Sequence, residues 1–368
     1  MVGGGVGRVG SLLTRFLLED GYQVVVVDTG DPSPELFQCG ITFIREDLVS
    51  CDFSSLRKEL GGDPDLIVNC LPGNAGFLFS RRIVQEVGIP LVDLSFYPEV
   101  PRPADFPRLK SYWIVDAGIA PGFSSMTLPV WHAHGNLVEW RCWVGGFPEY
   151  LMPPFYYQPT FSIEDVIAEY TRKARSIRDG QIIEEEPLDT VRPFLRFTRE
   201  WGILCAFKSD GLRTLLYNVP ESLRVAEEWT LRPCQHLAMM KLLSVSAGFE
   251  ALKAAGEKSS GETPEVFLML CEGIHQDGSR HELRVVARTE KPGCLSFLTA
   301  RVCFHVIGHV MGREIAPGIY GPESIPDVEA LYRRIIADFG QISFITVEER
   351  FGGKPQDDGA SSGGGVSP

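Results

Sequence analysis

The chain has 368 residues, 44% hydrophobic and 23% charged, which excludes a disordered protein and, at this length, implies two compact units rather than one core. Its formal net charge of -13 argues against nucleic acid as a partner, because phosphate-backbone binding draws on clustered Lys and Arg. No apolar run reaches the roughly 18 residues of a membrane helix, and the chain opens on glycines rather than on a basic stretch before an apolar one, so neither membrane insertion nor export is expected.

In chain order, residues 24–27, 66–70, 91–94 and 112–115 read as strands, with helices at 11–19 and 77–86 between them. This alternation predicts an α/β fold whose N-terminal part, residues 1–121, is a Rossmann-type, doubly wound parallel sheet. After about residue 121 the texture changes, with Pro-rich and aromatic stretches at 147–159 and a longer strand at 138–144. A second α+β unit over 122–297, with a largely antiparallel sheet, is predicted there. It includes a helix at 162–174, with Ser162 as N-cap and Asp165 in capping-box position, and strands at 266–271 and 282–287 around the turn Gln276-Asp277-Gly278. Late helices at 298–311 and 328–339 place residues 298–350 back with the first unit, and the Gly/Ser/Pro tail 352–368 is expected to be disordered.

Gly5-Val6-Gly7-Arg8-Val9-Gly10 fits G-x-G-x-x-G, opens a helical pattern and is followed by a strand ending in Asp28. Glycines let the backbone turn tightly and approach a pyrophosphate, while a helix N-terminus offers free N–H groups and partial positive charge. Asp28 is placed to accept hydrogen bonds from ribose hydroxyls and to repel a 2′-phosphate, which selects NAD over NADP. The alternative is a tight strand–helix turn with no ligand. Only Met1 to Gly4 precede the loop, so the first strand is either a stub or has its true start upstream.

Beyond the loop, several segments occur in a recognisable order. They are Asp65-Leu66-Ile67-Val68-Asn69-Cys70-Leu71-Pro72, Val92-Asp93-Leu94-Ser95, and Asp116-Ala117-Gly118-Ile119-Ala120-Pro121-Gly122. Then come Val144-Gly145-Gly146-Phe147-Pro148 with Pro153 and Pro154, Glu169-Tyr170-Thr171, Asp179-Gly180, Ser209-Asp210-Gly211-Leu212-Arg213-Thr214, and Thr230-Leu231-Arg232 with His236. Together they resemble the saccharopine dehydrogenase-like family, closest to its lysine 6-dehydrogenase branch. Pro233-Cys234-Gln235 and Trp229 depart from that pattern. The resemblance implies that Asn69, Leu71 and Pro72 end a strand beside the nicotinamide, and that Arg8, Val9 and Asp47 join Gly5, Gly7, Gly10 and Asp28 in holding NAD. It also implies that the unit over 122–297 binds substrate and pairs two subunits into a homodimer.

Oxidising an amine by hydride transfer needs a neutral amine and a group to take its proton, and an amino-acid substrate also needs an Arg for its carboxylate. Arg213 and Arg232 are the candidates for the carboxylate. Asp93, Asp116 and Asp210 are candidates for the ammonium end or for proton transfer, with helix or turn capping as the alternative for each. His236 is a pocket candidate. No metal is expected: His305 and His309, four apart, lack an acid or Cys ligand and read as core-facing, and His132 and His134 read as structural. The odd count of nine cysteines has no C-x-x-C pair, which indicates neither a disulfide framework nor zinc and fits a reducing cytoplasm. Cys70 reads as a small buried hydrophobe. The expected function is NAD-dependent oxidation of an amino acid's amine, as in lysine 6-dehydrogenase; the alternatives are secondary-amine oxidoreduction as in saccharopine dehydrogenases, and a silent binding or assembly protein.

Overall fold

The computed structural model describes residues 1–352 except 98, 152, 154, 161, 198–200, 246–262 and 292. The tail expected to be disordered beyond Gly352, Pro154 of the resemblance and Phe161 of an aromatic stretch lie outside the described residues.

The first part runs β1 (Val2–Gly3), α1 (Arg8–Glu19), β2 (Val25–Asp28), α2 (Pro34–Gln38), β3 (Thr42–Arg45), α3 (Phe53–Glu59), β4 (Ile67–Asn69), α4 (Gly73–Arg82), β5 (Leu91–Asp93) and β6 (Tyr112–Ile114). The chain continues through α5 (Phe123–His132), β7 (Leu137–Pro148), α6 (Ile163–Thr171), β8 (Ala174–Arg178), β9 (Gln181–Glu185), β10 (Val191–Phe194), β11 (Leu204–Lys208), β12 (Val225–Pro233) and α7 (Cys234–Val245). It closes with β13 (Glu265–His275), β14 (Arg280–Thr289), α8 (Cys294–Val310), β15 (Gly318–Tyr320), α9 (Val328–Phe339) and β16 (Ile345–Gly352).

Seven strands form a parallel sheet in the order β15-β6-β5-β4-β1-β2-β3. Its strands are short and apolar, as expected where helices cover both faces. β1 is a two-residue stub, yet it pairs with both β2 and β4 and so occupies the sheet's centre. α1 buries Leu13, Thr14 and Leu17 on one stripe, and its Phe16 ring meets Phe297 and Phe304 of α8 at 5.4 and 6.2 Å.

The second sheet has nine strands, in the order β10-β11-β12-β7-β13-β14-β16, with β8 paired to β12 and β9. It is antiparallel except where β12 runs parallel to β7. One continuous apolar core links it to the first sheet, running from Val26 and Ile114 through Met126 and Leu298 to Trp140 and Phe267. A second core, including Val166, Tyr170, Phe207 and Leu231, fills the space under α6 and α7.

Four local outcomes differ from the sequence reading. α4 starts at Gly73, directly after Pro72, and ends in a π-helical turn over Ile83–Val87 before left-handed Gly88. The 162–174 helix stops at Thr171, because Arg172 turns extended to enter β8. β15 joins the first sheet, but β16, expected there, pairs with β14 of the second. Cys205 and Cys234 form a disulfide, a correction to the expectation of free thiols; strand pairing puts Cys205 opposite Arg232 and so brings it beside the first residue of α7, 29 positions on. Among the described residues, no helix is long and apolar enough to cross a membrane.

Candidate functional site

The glycine loop is shaped by steric demands that differ from one glycine to the next. A β-carbon on Gly10 would overlap the carbonyl oxygen of Gly4, so α1 packs directly on the loop. Gly7, the N-cap of α1, is exposed, and a β-carbon there would meet only the Gly4 oxygen at 3.4 Å. Its open side leaves backbone and first-turn N–H groups, which have no intrahelical partner, free to approach an anion. Asp28 ties the loop to β2: Oδ2 accepts the Val6 N–H and Oδ1 the Gly30 N–H, each at 3.0 Å. A carboxylate has about four acceptor positions, so this half-buried group keeps capacity for ribose hydroxyls. The loop thus fits a dinucleotide.

A cleft of about 490 Å³ opens from Gly7, Arg8, Val9 and Gly10 across the ends of β4 and β5 to the second sheet. Cys70, Leu71 and Pro72 line its near side; burial pushes the Cys70 thiol up, away from a reactive thiolate. Two regular elements supply the far wall. β12 alternates, sending Glu228, Thr230 and Arg232 into the cleft while Trp229 and Leu231 enter the core behind. α6 contributes Asp165, Ala168 and Glu169, spaced as one helical face, and Arg172 follows directly after its end. The loop after β11 adds Ser209, Asp210 and Gly211. With Asp116, the polar floor therefore assembles from residues up to 116 positions apart (116 to 232).

Most charges here are already paired. Asp210 holds Arg175 through two bonds, of 2.8 and 2.6 Å. Asp116 accepts from Arg213 Nε at 3.2 Å on both oxygens. Glu169 accepts from Arg232 Nη2 at 2.5 Å. The last pair belongs to a chain of defined polarity. His236 Nδ1 donates to the Phe155 carbonyl at 2.7 Å, so Nε2 is the acceptor for the Tyr170 hydroxyl at 2.9 Å, and the Tyr170 oxygen accepts from Arg232 Nε at 3.3 Å. Burial pushes His236 down to about 3, so it is neutral and the chain keeps this direction.

Of the predicted residues, the structure brings Gly7, Arg8, Val9, Gly10, Leu71, Pro72, Asp116, Asp210 and Arg232 to the cleft wall. Gly5 is buried and does not line the cleft; a β-carbon there would overlap the Val26 side chain. Arg213, fully buried behind Asp116, and His236, behind Tyr170, are not on the wall. Neither is Asp93. Its carboxylate accepts from Ser80 Oγ at 2.5 Å, Ser95 N at 2.8 Å, Trp113 Nε1 at 3.1 Å and Asn69 Nδ2 at 3.2 Å, a network that fixes the ends of β4 and β5. Burial still raises it to about 6. Asn69 is spent in the same network, its Oδ1 accepting the Leu71 N–H at 3.0 Å. Asp47 is exposed and caps its own turn through Val49 N and Ser50 Oγ. His305 faces Asp338 and His309 the Pro326 carbonyl. Among the described residues no cluster of three or more His, Cys, Asp or Glu could hold a metal.

Three cleft residues escaped the sequence reading. Arg172 donates to the Tyr97 carbonyl at 3.3 Å and lies over the Phe96 ring, with no carboxylate among the described residues within ion-pair distance; burial and Arg213 hold its pKa below the usual value. Asp165, its carboxyl facing Gly73, is raised to about 6 by burial. Glu228 is raised to about 8, by burial first and then by Glu169 and Asp210. Its position was readable in principle: once Arg232 faces the cleft, strand alternation places residues 230 and 228 on the same side.

No family model matches the chain. Among solved structures, its fold is similar to that of an apo saccharopine dehydrogenase (L-Glu forming) from Saccharomyces cerevisiae, with a TM-score of 0.71, 14% identity, and coverage of 95% of this chain and 98% of that one. A meso-dapdh mutant with DAP from Clostridium tetani E88 gives a TM-score of 0.39 at 10% identity over 90% of this chain and 94% of that one, too low to carry weight. The architecture, a Rossmann-type parallel sheet with a second, mainly antiparallel sheet, is thus that of the saccharopine dehydrogenase fold.

Proposed function

We propose that this protein is an NAD-dependent oxidoreductase acting on the amine of an amino acid. The observation that carries the reading is a single cleft that joins a glycine-loop helix N-terminus to a wall holding Arg172, which has no ion pair among the described residues, and four carboxyls of raised pKa, Asp116, Asp165, Glu169 and Glu228. Bound on the loop, the dinucleotide supplies the two-electron acceptor for a substrate C–H bond. Gly7, Arg8 and the first turn of α1 hold its pyrophosphate, and Asp28 takes the ribose hydroxyls and disfavours a 2′-phosphate, which selects NAD.

The chain's own residues do the rest. Arg172 binds the substrate carboxylate through its planar fork. Arg232, held by Glu169, Tyr170 and the backbone, also lines the cleft. Asp116 and Asp210, fixed by Arg213 and Arg175, line the floor as hydrogen-bond acceptors for the amine. Lysine, with one carboxylate and a distal amine, is the first substrate to test. The presence of both Arg172 and Arg232 supports a second reading, a secondary amine bearing two carboxylates, of the kind joined or split by saccharopine dehydrogenases.

Calorimetric titration of the full chain with NAD and NADP, followed by a panel of amino acids and secondary amines scanned for reduced dinucleotide, tests both. NAD binding above NADP, lost in Gly7→Trp, with turnover on lysine supports the first reading; turnover only on dicarboxylate secondary amines supports the second. No binding of either nucleotide by the folded chain refutes both.

A further inference from the structure

We propose that Glu228 is the catalytic residue that exchanges a proton with the substrate nitrogen; this rests on the amine-oxidoreductase reading above.

Glu228 is 4% exposed, yet it lines the cleft, with its carboxyl against Gly211 of the same wall. Among the described residues only Ser209 Oγ donates to Oε1, at a long 3.4 Å, and Oε2 has no hydrogen-bond partner. A buried polar atom without a partner is costly in a folded protein, and one that faces a cleft has a partner to gain there. Gly211 makes room for it: a β-carbon there would overlap the carboxyl. The neighbouring acids differ. Asp116, Asp210 and Glu169 are each ion-paired, to Arg213, Arg175 and Arg232, whereas no cation among the described residues lies within ion-pair distance of Glu228.

The groups around it favour its protonated form. Glu169 faces it from α6, Asp210 from the loop after β11 and Asp116 from the end of β6, while Cys142 is its register partner on β7. Burial and these charges raise it to about 8, close to working pH, as acid–base exchange requires. In the oxidising direction the Glu228 carboxylate takes a proton from the substrate ammonium. One N–H bond breaks, its electron pair stays on nitrogen, and one O–H bond forms. The neutral amine left behind has the lone pair that a C=N bond needs. In the reverse direction the carboxylic acid returns the proton.

The test compares wild type, Glu228→Gln and Glu228→Asp, each checked for folding by thermal melting and for dinucleotide binding by calorimetry. Glu228→Gln should bind the dinucleotide as wild type does, lose roughly 10²–10⁴-fold in turnover, and lose the limb of the pH profile near 8. Glu228→Asp should keep a carboxyl-dependent limb at intermediate rate. Independently of activity, infrared titration of the protein without nucleotide should show a protonated carboxyl ionising near pH 8 in wild type and missing from Glu228→Gln. Turnover within threefold of wild type in Glu228→Gln, or a Glu228 carboxyl already ionised at pH 6, overturns the assignment while leaving the oxidoreductase standing. A wild-type protein that turns over no amine removes both.

Discussion

Asp116 and Arg213, 97 positions apart, form a buried ion pair in which both residues hold left-handed backbones, φ 56 and 52. Such conformations cost an L-residue about 1–3 kcal/mol and persist only where the surroundings fix them. Here a third bond, from Arg213 Nη1 to the Tyr97 carbonyl at 2.7 Å, completes the fixing. The pair connects the end of β6 with the 3-10 turn Arg213–Leu216, so it ties a strand end of the parallel sheet to the second unit at the cleft floor.

Removing the guanidinium leaves Asp116 buried and unpaired, so Arg213→Ala should lose ~3–5 kcal/mol in urea unfolding. Arg213→Gly loses the same charge but relieves the positive φ, and should be more stable than Arg213→Ala by about 1 kcal/mol. Equal stability of the two would show that the backbone at 213 relaxes freely, contrary to this account.

The loop glycines separate folding from binding. Gly10→Ala drives a β-carbon into the Gly4 carbonyl and should cost about 1–3 kcal/mol, with dinucleotide binding lost as the loop shifts. Gly7→Ala meets only an ordinary contact and should unfold within about 0.5 kcal/mol of wild type, while NAD affinity falls at least about tenfold because backbone approach to the pyrophosphate is blocked. Paired melting and calorimetry check both; a Gly7→Ala protein that binds NAD as well as wild type would place the pyrophosphate elsewhere.

Regular periodicity made much of the fold legible. The 328–339 helix matches α9, and four of the seven strands of the parallel sheet, β2, β4, β5 and β6, fall within a residue of their expected ends, because each is a short apolar run between turn signals; β3 and β15 were not read from the sequence. Asp28 was legible for the same reason, standing at the end of such a run. What sequence did not reveal were relationships between distant segments. Asp93 looked like a site acid, but only the fold shows Ser80, Ser95 and Trp113 converging on it. Cys205 and Cys234 carry no spacing signal and meet only through the β11–β12 pairing. Arg213 and Arg232 occupy similar family-like segments, yet one is consumed by Asp116 and the other reaches the cleft, a difference of backbone direction rather than residue type.

On the substrate side of the cleft, away from Arg8 of the glycine loop, Arg172 has no ion pair among the described residues, so its removal should act on substrate binding. Arg172→Met should raise KM for a carboxylate-bearing substrate by about 10–100-fold, on the basis of a charge-assisted hydrogen bond of roughly 1.5–3 kcal/mol, with a smaller change in kcat. Amines lacking a carboxylate should show no such penalty. An equal loss on both classes would mean that Arg172 supports the wall rather than the substrate.

His236 makes the polar chain behind Arg232 acid-sensitive. Its folded value of about 3 lies below its ordinary 6.5, so the unfolded chain binds more protons between these values and stability falls as pH drops through that window. At pH 5 the contribution lost is ~2 kcal/mol. His236→Gln, which does not titrate, should narrow toward wild-type stability as pH falls below about 6.5, read by urea unfolding at pH 7 and 5. A constant gap would show that His236 does not stay neutral in the fold.

Glu228 produces the opposite dependence. Its folded value is raised to about 8 from an ordinary 4.5, so the folded chain holds a proton that the unfolded chain releases, and the group's contribution, complete below 4.5, is lost as pH rises toward 8. By pH 7 the loss amounts to ~3 kcal/mol as an order of magnitude. Glu228→Gln keeps the shape without the ionisation, so it should match wild type near pH 4.5 and exceed it in stability at pH 7 to 8. A residue whose removal strengthens the fold at neutral pH has a cost that function must offset, the pattern expected of a proton-transfer group held in an unfavourable place. Unfolding of both proteins across pH 4.5 to 8 decides the matter, and parallel curves would mean that the carboxyl ionises as freely in the fold as outside it.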